Sequence, residues 1–333
     1  MGLGKNLFLK DSVIGRNLSL DVLRVLACFG VMFIHISSSF STHQIAVEGT
    51  AGWYAGKLIG VFSKWAVPAF VMITGFFMLD PKKDVPFKKL YGKHILRFVL
   101  SLIFWTWVYA LVIHTRYYPF GGQDNNFWYM GMCIGIYISL PVLRLVAANE
   151  KILAYSCWIW FFIRCYEYVN EFFMDVPIVI TDFVFRDYVG YCLWGYYLSR
   201  IQLRKKEMLW VYFAGFIGLV LSVVLPLATH DKVRCRFESP MVFAMTVAIF
   251  LFAIRHPINL SDKMNSWIVH FSKMTFGIYM VHSLVYVELF SRLLNYVTNP
   301  FALILASLIV LIVPSYFIIL IIKQIPVLNK WVI

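Results

Sequence analysis

The chain has 333 residues, 61% of them hydrophobic and only 14% charged, with a mean hydropathy of +0.74. A soluble protein of this size carries roughly 25% charged residues, so the composition excludes a soluble fold and indicates a polytopic membrane protein with its core between packed helices. The net charge of +13 is no nucleic-acid signal, because the basic residues lie in loops between apolar segments, where membrane topology places them.

Taken in chain order, the apolar stretches predict about ten spans. They cover roughly 18–38, 58–79, 94–114, 127–147, 152–170, 185–199, 208–228, 239–254, 268–290 and 301–322. The sixth and eighth are short, which suggests little tilt or a re-entrant path. The first stretch carries Arg24 and lacks a small-residue cleavage site, so it does not read as a cleavable signal peptide. No repeat, low-complexity tract or soluble insertion interrupts the pattern, and the expectation is one domain over 1–333. Nineteen of the thirty lysines and arginines fall in the loops that are cytoplasmic if the N-terminus is, which places both termini inside. The outer loop "HDKVRCRFES" departs from this rule, either as a polyanion contact or as an ordinary exception. The six cysteines form no CxxC pair and mostly lie in spans, so neither a zinc site nor a disulfide framework is expected. The fold class is therefore an all-α polytopic membrane protein with about ten transmembrane helices and both termini cytoplasmic.

The first span contains "DVLRVLACFGVMFIH", Asp21 to His35. Arg24 and His35 are separated by three helical turns plus about 20°, and Asp21 is offset from Arg24 by about 60°. All three share one stripe, with about 16 Å of rise between Arg24 and His35. Ionisable groups inside a span are costly and face the protein interior or a wet cavity. The plainer account pairs Asp21 with Arg24 near the interface and lets His35 cap Ser37–Ser39. Three aligned groups favour a polar path instead. Histidine transfers protons near neutral pH, and the planar fork of arginine matches a phosphate. The stripe thus suits a long phosphorylated donor, with its phosphates near Arg24 and its reactive end near His35.

Four stretches together resemble one family. They are "LSLDVLRVLACFGVMFIHIS", "VPAFVMITGFFML" (Val67–Leu79), "FWYMGMCIGIYISLPVLR" (Phe127–Arg144) and "TFGIYMVHSLVY" (Thr275–Tyr286). Each is weak alone, but they occur in the family's order across about 270 residues. The chain resembles acyltransferase family 3, the membrane-bound O-acyltransferases of bacterial surface glycans. Within that family it is most similar to the compact inner-membrane enzymes without a fused extracytoplasmic domain, such as the enterobacterial common antigen type. The resemblance implies transfer of an acyl group, usually acetyl from cytoplasmic acetyl-CoA, to a sugar hydroxyl of a cell-surface polysaccharide or its lipid-linked precursor. It implies His35 as catalytic base and Arg24 as a second essential residue, also placed to hold the donor. Asp21 matches the acidic position before that arginine, His282 matches the late-span histidine, and both are expected to bind substrate. No metal and no nucleic acid are implied. Membrane lipids and the glycan acceptor are the expected partners, and the sequence does not reveal the oligomeric state. Direct transfer from a ternary complex is the simpler route, since no serine or cysteine beside a base demands a covalent one.

Other features carry paired readings. The basic loop "DPKKDVPFKKLYGKHILR" offers Lys89 and Arg97 to CoA phosphates, or simply to anionic lipid head groups. Thr74 and Gly75 let a substrate approach the backbone, or let helices pack closely. Trp128 and Tyr129 form an interfacial aromatic belt or a platform for a sugar ring. Tyr279 and His282 share a helix face. Asp182, Arg186 and Asp187, with Glu167 and Glu171, bind acceptor hydroxyls or pair with one another. The alternative function is a transporter or glycan exporter, although two matching halves with broken helices are not visible.

Overall fold

In hydrocarbon each backbone N–H and C=O must be satisfied within its own segment, so an apolar chain of this kind is expected to be helical. The computed structural model describes residues 16–113, 127–173, 188–229 and 235–333, excepting the side chains of residues 171, 172 and 291, and contains no strand among them. In chain order the elements are α1 (Leu18–Thr42), α2 (Ala51–Ser63), α3 (Ala66–Met78), the single turn α4 (Phe87–Lys89), a π-helical turn (Leu90–Ile95) and α5 (Leu96–Ile113). There follow α6 (Trp128–Ala148), α7 (Glu150–Phe173), α8 (Val189–Arg200), α9 (Lys205–Ala228) and α10 (Pro240–Arg255). The last are α11 (Asp262–Ser272), α12 (Thr275–Leu294), α13 (Pro300–Ile322) and α14 (Pro326–Trp331).

Helix starts follow the local chemistry. The first N–H groups of a helix lack intrahelical partners, and side-chain oxygens supply them here. Asn17 accepts from the Leu20 amide at 3.1 Å, opening α1. Asn299 accepts from the Phe301 and Ala302 amides, ahead of Pro300 at the first position of α13. Pro300 is pre-set for that position, having no N–H to leave unpaired.

Among the described residues, six helical segments are long and apolar enough to cross a membrane: Leu18–Thr42, Ala51–Met78, Phe87–Ile113, Trp128–Ala148, Lys205–Ala228 and Pro300–Ile322. The pair α11 and α12 adds a seventh if its 60° bend is crossed as one span. About ten were expected, and the differences have local causes. The second span begins at Ala51 rather than 58 and is interrupted at Lys64–Trp65. The third begins at Phe87, where the chain enters through the π-helical turn. The expected span 185–199 is the 12-residue α8, which is buried along almost its whole length. It therefore faces other helices rather than lipid.

Apolar side chains gain little by leaving lipid for protein, so close van der Waals packing decides which helices associate in a membrane. Helix α1 lies at the centre, against α2, α3, α10, α11, α12 and α13. Helices α3 and α8 approach closely through glycines. A Cβ on Gly75 would lie 1.8 Å from the Cys192 carbonyl oxygen, and one on Gly195 would lie 2.1 Å from the Met72 carbonyl oxygen. Of the two readings of Gly75, the structure thus selects close helix packing over substrate access. Thr74 donates to the Phe70 carbonyl of its own helix.

Candidate functional site

The stripe on α1 divides into two stations. At the N-terminal end, Asp21 is 1% exposed. Its carboxylate accepts from Arg16 Nε at 2.9 Å, Arg16 Nη2 at 2.7 Å, Arg24 Nη1 at 3.0 Å and Ser272 Oγ at 2.6 Å. Asp21 is therefore occupied in orienting two guanidinium groups and in tying α1 to α11. Arg24 keeps 27% of its side chain exposed and lies 5.1 Å over the Phe77 ring. The same ring carries Lys83 on a 5.7 Å contact.

Other cations gather at this end of the bundle. Arg97 lies 5.8 Å from the centre of the Phe276 ring, and Tyr137 is within electrostatic reach of both Arg24 and Arg97. The structure thus brings Arg24 and Arg97 to one region. Lys89 is exposed on α4. Arg144 donates to the carbonyls of Met78, at 2.9 Å, and Lys83, holding the loop that follows α3. Together these groups make this end of the bundle cationic, with guanidinium forks whose geometry matches phosphate.

The second station is a pair of histidines. The His35 and His282 rings have centroids 4.8 Å apart and planes at 58°. His282 is 1% exposed, and its Nδ1 faces the Tyr279 carbonyl one turn earlier. A carbonyl can only accept, so Nδ1 carries the proton and Nε2 presents its lone pair. The Ser283 hydroxyl lies 3.2 Å from that Nε2. Among the described residues, no hydrogen bond reaches the His35 ring. Its side chain lines a cleft of about 250 Å³ with Ser38, Thr42, His43, Ser283, Tyr286 and Val287. Ligand pockets commonly measure 300–1,000 Å³, so this cleft suits one sugar unit rather than a whole nucleotide donor.

The walls of the cleft are cross-tied. Ser39 donates to the His35 carbonyl at 2.8 Å, so its oxygen accepts from the Tyr286 hydroxyl of α12. Ser39 therefore engages the His35 backbone and not its ring. Tyr109 of α5 is fully buried. Its hydroxyl donates to the Met280 carbonyl at 3.0 Å and accepts from the Leu284 amide at 2.9 Å. A regular α-helical turn would join those two groups directly. The hydroxyl is thus lodged at the α12 ladder on either side of His282, one of the few ways to bend a helix locally.

Tyr129 and Trp128 separate. Tyr129 lies 5.1 Å from Tyr279, which lies 5.5 Å from His282, so Tyr129 reaches the histidines through one intervening ring. Trp128 packs against Tyr188 and Phe237, at 5.7 Å and 6.0 Å, in a neighbouring aromatic cluster. Glu167 pairs at 2.7 Å with Arg164, a residue of its own helix outside the expected cluster. Asp182, Arg186, Asp187, residues 230–234 of the 230–239 loop and the Glu171 side chain lie outside the described residues. All six cysteines are free. Among the described residues, no group of three or more histidines, cysteines or carboxylates is placed to hold a metal ion.

Sequence reasoning passed over Tyr109, Ser283 and Tyr286 as site residues. Tyr109 sits in an ordinary aromatic-rich span with no signal to mark it. Ser283 is the neighbour of His282 in the chain, a signal that was present.

The chain is thus a multi-pass helical membrane protein whose central helix α1 carries charged groups at one end and a histidine-containing cleft toward the other. A family model described as an acyltransferase domain matches residues 17–321, and the chain belongs to that family, acyltransferase family 3. Comparison with curated proteins and with solved structures finds no match.

Proposed function

We propose that the protein is an O-acetyltransferase of the bacterial inner membrane. In this reading acetyl-CoA supplies the acyl group from the cytoplasm, and a sugar hydroxyl of a surface polysaccharide or its lipid-linked precursor receives it. The enzyme is of the compact type exemplified by enterobacterial common antigen modification, a single domain of about ten spans with both termini cytoplasmic. The observation that carries the reading is the His35 ring, with no hydrogen bond among the described residues and facing the cleft about 16 Å along α1 from Arg24.

The chemistry follows from the arrangement. Arg24, held by Asp21, and Arg97 bind the phosphates of the donor, while Lys89 contributes a solvated charge. The acyl end extends toward His35. His35 takes the proton from the sugar hydroxyl as its oxygen attacks the acyl carbonyl. His282 and Tyr129 lie toward the acceptor, Trp128 contributes from the neighbouring aromatic cluster, and Asp21 acts through Arg24.

The test is transfer of label from radiolabelled acetyl-CoA into surface glycan, in membranes carrying wild type or His35→Ala at equal protein level. Label in the wild type and near-background label in the variant are expected. Equal labelling would remove His35 from the chemistry. Glycan export that depends on the protein without any labelling would favour a transporter.

A further inference from the structure

Ser283 meets the structural requirements of an activated nucleophile. Such a residue needs a base within hydrogen-bond reach and a third group that orients the base. His282 Nε2 lies 3.2 Å from Ser283 Oγ, and Nδ1 of the same ring is fixed by the Tyr279 carbonyl. Ser283 also lines the cleft that holds His35. The two histidines therefore have different environments. His282 is anchored at both nitrogens, whereas the His35 ring accepts and donates to nothing among the described residues. One is built to serve a fixed partner, and the other is left for a partner that arrives.

We infer that acyl transfer proceeds in two steps through an acyl ester on Ser283, with His282 as the base of the first step and His35 as the base of the second. The inference rests on the acyltransfer reading given above. In the first step the Ser283 hydroxyl gives its proton to His282 Nε2, and Oγ bonds to the thioester carbonyl carbon. The carbon–sulfur bond breaks, and the departing thiolate takes the proton from His282 to leave as the free thiol. In the second step His35 takes the proton of the sugar hydroxyl, whose oxygen attacks the ester carbon. The bond to Ser283 Oγ breaks, and the proton held by His35 returns to that oxygen. No oxidant, reductant or metal enters either step.

A two-step route also explains how one cleft of about 250 Å³ serves two bulky molecules. The thiol leaves before the sugar arrives, so donor and acceptor never occupy the cleft together. It replaces the direct transfer expected from sequence.

The experiment uses the full-length protein in lipid nanodiscs with radiolabelled acetyl-CoA and no acceptor, followed by denaturing electrophoresis and peptide mass spectrometry. The wild type should carry label on Ser283, stable to neutral hydroxylamine as an oxygen ester is. Ser283→Ala should carry none, and its transfer to glycan should fall by about 100-fold or more. Ser283→Cys should regain label in a form that neutral hydroxylamine removes, a result that a purely structural serine would not give. When glycan acceptor is then added, the wild type should lose its label to the glycan, whereas His35→Gln should keep label on Ser283 because the second step is blocked. Glycan acetylation by Ser283→Ala at the wild-type rate would overturn the serine ester and leave the acetyltransferase reading intact. Failure of the wild type to acetylate glycan from acetyl-CoA would overturn both.

Discussion

Replacing Asp21 with asparagine tests whether this carboxylate orients Arg24 or meets the acceptor itself. Asp21 is 1% exposed and accepts four hydrogen bonds, three of them from guanidinium groups. Asparagine keeps one acceptor oxygen and turns the other into a donor aimed at Arg16 or Arg24. At least one bond becomes a donor–donor contact, and both arginines lose their counter-charge. Breaking a buried ion pair costs about 3–5 kcal/mol. Arg16 and Arg24 remain 28% and 27% exposed, so water recovers part of this, and about 2–3 kcal/mol is expected. For a chain of this size that lowers the melting temperature by about 3–4 °C. The assay is thermal unfolding of Asp21→Asn in detergent, followed by donor and acceptor titrations. The KM for the donor should rise several-fold while kcat at saturating donor stays within about threefold. An unchanged melting temperature, or a rise confined to the acceptor KM, would refute the orienting role.

Three further outcomes follow from the packing and the cationic end of the bundle. Tyr109→Phe removes the hydroxyl between the Met280 carbonyl and the Leu284 amide; closing that turn moves His282, so transfer should fall at least about tenfold while the protein loses less than about 2 kcal/mol of stability, measured by paired kinetic and melting assays. Gly75→Val forces its Cβ within 1.8 Å of the Cys192 carbonyl, and α3 and α8 must part, which costs about 3 kcal/mol or more and should show as loss of monodisperse protein on size exclusion. Arg97→Ala should raise the donor KM about fivefold or more, whereas Lys89→Ala, on an exposed turn, should stay within about twofold.

The helical class, the membrane setting and the stripe on the first helix were legible in the residues themselves. Apolar length determines the spans, because no other structure satisfies a lone backbone in lipid. The alignment of Asp21, Arg24 and His35 is a property of helical pitch alone, and it survived folding unchanged. What lies between the ends of the chain was not legible. Gly75 reads equally well as a packing residue or as an opening, and only α8, more than a hundred residues later, decides which. Asp21 reads as a residue for substrate until Ser272 and Arg16 are seen to fill its valences. Tyr109, Tyr286 and Ser283 become part of one site because α5, α12 and α1 converge there, and periodicity carries no information about which helices will meet. Sequence determines a helix and its faces through contacts three and four residues apart. The tertiary structure alone decides partners, because helix association in lipid depends on close shape complementarity between surfaces far apart in the chain.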